Sequence, residues 1–237
     1  MKNVALHEDI KIILSDRFGG VSKEPFDSLN LGLHVNDNSS CVEQNREIFA
    51  SFFNSSINDL VFMSQVHSNS VLFVQENGKF ICDGLITNNK NLTLCVMIAD
   101  CAPVVLYDAK NKISVVLHVG RKGAFLGIIP KAIQKLKDNF NSSNEDIYAY
   151  IGPHIKSCCY EIDGKVLKEA QKNFDFALIK KDNRYFLDLD EIIFSQLQDV
   201  NISHIKNEKI CTCCDENYFS YRRDNVTGRF AVGVKIL

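Results

Sequence analysis

The stretch between residues 60 and 119 constrains the fold more than any other part of the chain. It holds five apolar runs of strand length, 60–63, 71–74, 92–98, 104–107 and 113–119, rich in Val and Ile and separated by polar or glycine-containing turns. Several of these runs are apolar at successive positions rather than alternating, so both faces of each strand must be covered. A chain of this kind needs at least one further layer on each side of its strands.

The flanking sequence supplies those layers. Residues 11–14 and 147–151 read as further strands, and strands close the chain near 230–236. Ser40 and Glu43 fit a capping box ahead of a helix through about Phe53. Residues 124–140 read as a helix that Pro130 starts or kinks, and 165–173 and 190–200 as two more. No regular βαβα alternation appears. The expected class is α+β, with mixed sheets layered between outer helices. No linker, repeat or low-complexity run divides the 237 residues, so one domain spanning 1–237 is expected. Residues 15–38, with Gly19, Gly20, Pro25 and Gly32, form a long loop, and long loops inside a compact domain are usually functional.

With 46% apolar residues the chain can fill a substantial core, and a formal net charge of −2 does not suggest a nucleic-acid or membrane-surface partner. His7, Glu8 and Asp9 near the start are unlike a secretory signal, and no apolar run approaches the about 20 residues of a membrane span. A cytoplasmic protein, monomeric or weakly dimeric, is expected. Its nine cysteines are then reduced thiols, some packed as small hydrophobes and some available as ligands or nucleophiles.

Three segments stand at strand ends: Gln65-Val66-His67, Ala99-Asp100-Cys101-Ala102-Pro103 and His118-Val119-Gly120. Two imidazoles and a thiolate make a sound zinc set with a fourth position open for water or substrate. The same set can hold copper, with Met97 as a weak axial ligand, although six histidines without a His-x-His pair do not suit several coppers. Without metal, Cys101 is a candidate nucleophile with His118 or His67 as its base. The plain alternative is a core histidine at 118 and an inert buried thiol at 101.

These segments, with others in the same order, resemble the bacterial family called peptidoglycan editing factor, also known as laccase-domain or polyphenol oxidase proteins and as purine nucleoside phosphorylases. The blocks are Arg17-Phe18-Gly19-Gly20-Val21-Ser22, Ser28-Leu29-Asn30-Leu31-Gly32, Glu43-Gln44-Asn45-Arg46, Asp83-Gly84, Ile151-Gly152-Pro153-His154, Cys211-Thr212, and Phe219-Ser220-Tyr221-Arg222-Arg223-Asp224 through Thr227-Gly228-Arg229. The resemblance implies an α/β/β/α-type sandwich and a metal held by His67, Cys101 and His118. It also implies phosphorolysis of purine nucleosides, including methylthioadenosine, deamination of adenosine, and a role in cell-wall precursor editing. One block departs: where the family usually reads His-Ala-Gly-Trp-Arg-Gly, this chain has His118-Val119-Gly120-Arg121-Lys122-Gly123. Lys122 keeps the charge and loses the planar fork, which Arg121 can partly replace.

Phosphorolysis needs cationic and N–H donors for phosphate and a group to stabilise the departing base. Arg17 beside Gly19 and Gly20 is the first phosphate candidate, with Arg121, Lys122 and Arg223, and with Arg222 and Arg229 as others. Asn30 is a candidate for ribose or base, or else a turn residue. Asp100 and Asp83 are candidate proton carriers or partners of a ligand histidine, Asp83 also fitting a plain turn before Gly84. His154 is placed in a loop that can face the cleft, and His34 and His204 at the surface or in packing. Cys158, Cys159, Cys211, Cys213 and Cys214 are read as packing residues ahead of a second zinc site, although Cys211 and Cys214 have ligand spacing.

The leading reading is a zinc-dependent purine nucleoside phosphorylase with adenosine deaminase activity. The others are a cysteine hydrolase acting on nucleotide-linked muropeptide precursors, a non-enzymatic metal-binding module, and phenol oxidation by copper-loaded protein.

Overall fold

A computed structural model describes residues 1–237. Two six-stranded sheets stack face to face. The first has the order Lys2–Val4, Ile10–Leu14, Phe230–Ile236, Thr93–Ile98, Leu60–Ser64, Phe80–Ile81; the last three run parallel to one another and the rest antiparallel. The second has the order His204–Asn207, Ile147–Ile151, Ala102–Asp108, Ile113–Val119, Gly84–Thr87, Val71–Phe73, with parallel pairs at its two edges.

Alternate residues explain the layering. In Ile113–Val119, Val115, Leu117 and Val119 face the helices, while Val116 faces the other sheet. In Thr93–Ile98, Leu94, Val96 and Ile98 face the inter-sheet layer, and Cys95 faces outward onto a helix. The helix Ser39–Ser51 covers the first sheet with Phe49 and Ala50. The helices Ile128–Phe140 and Leu189–Asp199 cover the second with Ile129, Ile133 and Leu136, and with Ile192, Ile193 and Leu197, at the three- and four-residue spacings of one helix face. The result is the expected α+β sandwich in the layer order helix, sheet, sheet, helix. Gly233 makes room for the rings of Phe49 in helix Ser39–Ser51 and Phe53 just after it, since an added Cβ would lie 3.1 and 2.7 Å from them.

Some boundaries differ from expectation for local reasons. Asn38, rather than Ser40, caps the first helix, its side chain accepting from the Ser40 amide at 3.0 Å. The helix expected over 124–140 is two, Arg121–Phe125 and Ile128–Phe140, separated at Gly127, whose φ of +68° interrupts the helical path. Pro130 then sits within the first turn, where no intrahelical N–H is needed. A small three-stranded sheet, Glu161–Ile162, Arg184–Leu187 and Leu178–Lys181, was not expected; its strands are only two to four residues long and carry Lys180, Lys181 and Arg184.

Candidate metal centre

Three connections cross from the first sheet to the second at one end of the sandwich. They join Leu60–Ser64 to Val71–Phe73, Phe80–Ile81 to Gly84–Thr87, and Thr93–Ile98 to Ala102–Asp108. His67 lies in the first crossing, Asp83 in the second and Cys101 in the third. His118 reaches the same place from the strand Ile113–Val119, one position from its end. The ligand atoms of His67, Cys101 and His118 lie within 4.8 Å of one another, and Cys101 Sγ is 3.9 Å from His67 Nε2.

Asp83 organises the set. Its carboxylate is fully buried and accepts from the amides of His67 at 2.9 Å and Ser68 at 2.6 Å, from the Ser68 hydroxyl at 2.7 Å, and from His118 Nδ1 at 2.8 Å. Burial opposes its charge, but the His118 and Ser68 hydrogen bonds outweigh it and hold the carboxyl down to about 2. An ionised carboxylate only accepts, so His118 carries its proton on Nδ1 and turns Nε2 toward Cys101 and His67. This is the usual way a carboxylate orients a metal-binding imidazole. His67 has φ +58°, a left-handed conformation costing about 1–3 kcal/mol, which the amide bonds to Asp83 sustain.

Burial works against the Cys101 thiolate, yet the His118 charge and hydrogen bonds from both histidines bring the thiol well below its ordinary value. Burial likewise opposes charge on His118, and Cys101 and Asp83 raise it above the usual imidazole range. A thiolate beside an imidazolium is therefore favoured when no cation is bound. Gly120 leaves the room the set needs: a Cβ there would lie 2.9 Å from Cys101 Sγ and 3.1 Å from His67 Cδ2. Tetrahedral zinc places a sulfur and a nitrogen ligand about 3.6 Å apart. The donors thus fit a three-ligand site with small adjustments.

Asp100 stands next to Cys101 but its carboxylate turns away. Oδ1 accepts from Thr212 and Ser220 hydroxyls, both at 2.7 Å, and Oδ2 from the Arg222 amide at 2.6 Å. Those three bonds secure a residue with φ +93° and so fix the turn that presents Cys101. Gln65 fixes the other side, its side-chain amide exchanging bonds of 2.8 and 2.9 Å with the Met97 backbone.

A cavity of about 450 Å³ opens beside the three donors. Arg121 is in its wall, with an ion pair to Glu169 at 3.1 Å, as are Met97 and Asp100. Arg17, Asn30, Lys122 and Arg223 are outside it. Arg17 is bound to Asp27 and lies over the Phe219 ring, and the Asn30 side chain bonds Gly32, Asp37 and the Arg229 amide. Lys122 is exposed, and the Arg223 guanidinium is occupied by the carbonyls of Thr212 and Tyr218 and by Asp224. Arg222 and Arg229 line the cavity instead, together with His34, Tyr160 and Tyr221. His34 was expected at the surface or in packing; the fold of the 15–38 loop against Gly32 and Arg229 brings it to the cavity, and nothing in its local sequence marks that. His154 is wholly buried, its Nε2 3.2 Å from Asp190, and does not face the cavity.

Residues 11–236 match the family model described as multi-copper polyphenol oxidoreductase laccase. The chain belongs to this laccase-like family. A Campylobacter jejuni relative is 39% identical over 188 residues, covering 78% of this chain and 81% of its own, and a Clostridium acetobutylicum relative is 37% identical, covering 84% and 85%. Both carry the name purine nucleoside phosphorylase. Two solved structures share the fold. YlmD from Geobacillus stearothermophilus superposes with a TM-score of 0.91 at 29% identity, covering 97% of this chain and 92% of its own. Bacillus licheniformis YfiH gives 0.90 at 32%, covering 96% and 93%. No helix is long and apolar enough to cross a membrane.

Proposed function

We propose that this chain is a zinc-dependent purine nucleoside phosphorylase, acting on adenosine, inosine and methylthioadenosine, with adenosine deamination as a second activity of the same cavity. The observation that carries the reading is the juxtaposition of Arg229 and Arg222 with the His67, Cys101 and His118 donors in one cavity. The names of the relatives agree with it. The substrates are small molecules, and the protein is read as cytoplasmic and as a monomer or weak homodimer.

Breaking the bond between sugar C1′ and the base places positive charge on the sugar and negative charge on the base. Arg229 and Arg222 hold phosphate near C1′, converting a collision into an oriented attack. Arg229 directs Nη1 to the carbonyls of Thr227 and Gly228, both at 2.9 Å, which locks its plane without neutralising its charge. Arg121 adds a third cation to the cavity wall. Tyr160 and Tyr221 supply flat walls for the purine and exclude water from the reacting bond. Burial, then Arg229 and Arg46, lower the His34 pKa, so it offers a neutral imidazole to the ribose or base. Bound zinc supplies Lewis-acid polarisation of a substrate atom or water. The role of Asp83 is to keep the His118 tautomer and ring plane fixed; that of Asp100 is to hold the Cys101 turn.

The deciding experiment incubates zinc-loaded protein with each nucleoside, with and without phosphate, beside Cys101→Ala. Phosphate-dependent release of free base and sugar phosphate, lost in the variant, is the expected result; inosine from adenosine without phosphate reports the deaminase. No product from any nucleoside in protein holding its zinc overturns the reading. A second reading, a cysteine hydrolase of muropeptide precursors, draws on the Asp83–His118–Cys101 alignment. Chelation separates the two, because a thiol nucleophile survives metal removal and the phosphorylase does not.

A further inference from the structure

Four thiols gather outside the cavity. The Sγ atoms of Cys158, Cys159, Cys211 and Cys214 lie within 4.8 Å of one another, with Cys214 at 3.6 Å from Cys158 and 3.3 Å from Cys159. We propose that these four cysteines form a second metal centre, a closed tetrathiolate site that takes zinc.

A zinc–sulfur bond of about 2.3 Å in a tetrahedron gives sulfur pairs about 3.8 Å apart, close to the separations seen. Cys211 and Cys214 have the two-residue spacing of a metal knuckle, and the turn between them is closed by the amides of Cys214 and Asp215 on the Cys211 carbonyl. The Lys156 amide donates to Cys211 Sγ at 3.4 Å, the kind of bond that stabilises a bound thiolate. Packing alone does not account for the group, since Cys158 and Cys214 are exposed. A divalent cation there would bind four thiolates and release their protons to solvent. Four protein ligands leave no open position, so the site is structural.

Its place gives it a purpose. It ties the loop after strand Ile147–Ile151 to the loop 211–214. Thr212, inside the knuckle, bonds Asp100, and Arg222 bonds the Cys159 carbonyl at 2.8 Å. The second ion would thus hold both the Cys101 turn and the Arg222 side of the cavity.

The test counts metal in reduced, zinc-replete protein after dialysis. Two zinc ions per chain are expected, one in Cys158→Ser/Cys214→Ser and one in His67→Ala/His118→Ala. Cobalt loading of the histidine variant, which leaves all four thiols intact, should give the intense thiolate charge-transfer absorption of a four-sulfur site, and the cysteine variant should lose it. One zinc in the wild type with no such absorption in the histidine variant overturns the proposal, even if the cysteine variant fails to fold. So does a Cys159–Cys214 disulfide in the freshly purified histidine variant that shows no thiolate–cobalt absorption after reduction. Neither outcome depends on catalytic turnover.

Discussion

Asp83 Oδ1 accepts a hydrogen bond from His118 Nδ1 at 2.8 Å while the same carboxylate holds the amides of His67 and Ser68, so one side chain sets the position of two candidate metal donors. Asp83→Asn should lower zinc affinity about 10- to 100-fold, measured by chelator competition. In metal-free protein its depressed pKa also stabilises the fold above the unfolded carboxyl value of 3.8, and that stability is lost as pH falls through about 2. Acid titration of folding should therefore be shallower over this range in the Asn variant.

Cys101 should react as an acidic thiol in metal-free protein. Its alkylation rate should rise with pH at an inflection below the about 8.5 of free cysteine, because His118 and His67 favour the thiolate. His118→Ala should move the inflection upward. An unchanged inflection would show that the two groups are not electrostatically linked.

Gly120→Ala should impair the site while sparing the fold. Its Cβ would press on Cys101 Sγ and His67 Cδ2, and its φ of −79° suits alanine. Weakened zinc binding with an unchanged circular dichroism spectrum is expected. A variant that binds zinc like the wild type would mean that the donors move aside freely.

Arg229 and Arg17 should separate cleanly. Losing a charge-assisted contact to phosphate costs about 1.5–3 kcal/mol, so Arg229→Ala should lower kcat/KM for phosphate roughly 10- to 150-fold. Arg17→Ala, which removes bonds to Asp27 outside the cavity, should leave that constant within about twofold and lower thermal stability. Steady-state kinetics at varied phosphate, beside melting curves, distinguishes them.

What the sequence revealed follows from how local each signal is. The strand Ile113–Val119 was legible because both of its faces are apolar, and His67, Cys101 and His118 because each ends such a run. Gly84–Thr87 was hidden by its shortness and its glycine, and the small sheet over 161–187 by strands of only two to four residues whose apolar positions are cut short by Lys180, Lys181 and Arg184. Asp83 has the sequence of a turn, and only the crossing connections show that its carboxylate is enclosed. Which arginine meets the cavity depends on contacts far apart in sequence: Arg17 and Arg229 sit in comparable Gly-containing motifs, yet Asp27 takes one and the other is left facing the donors. The four thiols were visible as pairs, but their meeting required the loops at 156–159 and 211–214 to be brought together in space.

The three crossings at one end have a counterpart in the polar turns at the other. Residues 109–112 join Ala102–Asp108 to Ile113–Val119, and 88–92 return the chain to the first sheet, both on the rim away from His67 and Cys101. Chemistry and structural latitude are thus assigned to opposite rims of the sandwich. The distal turns are free to lengthen or change composition without disturbing a ligand. The proximal ones have no such freedom, since a residue inserted in any crossing would shift a donor or the carboxylate that aligns it.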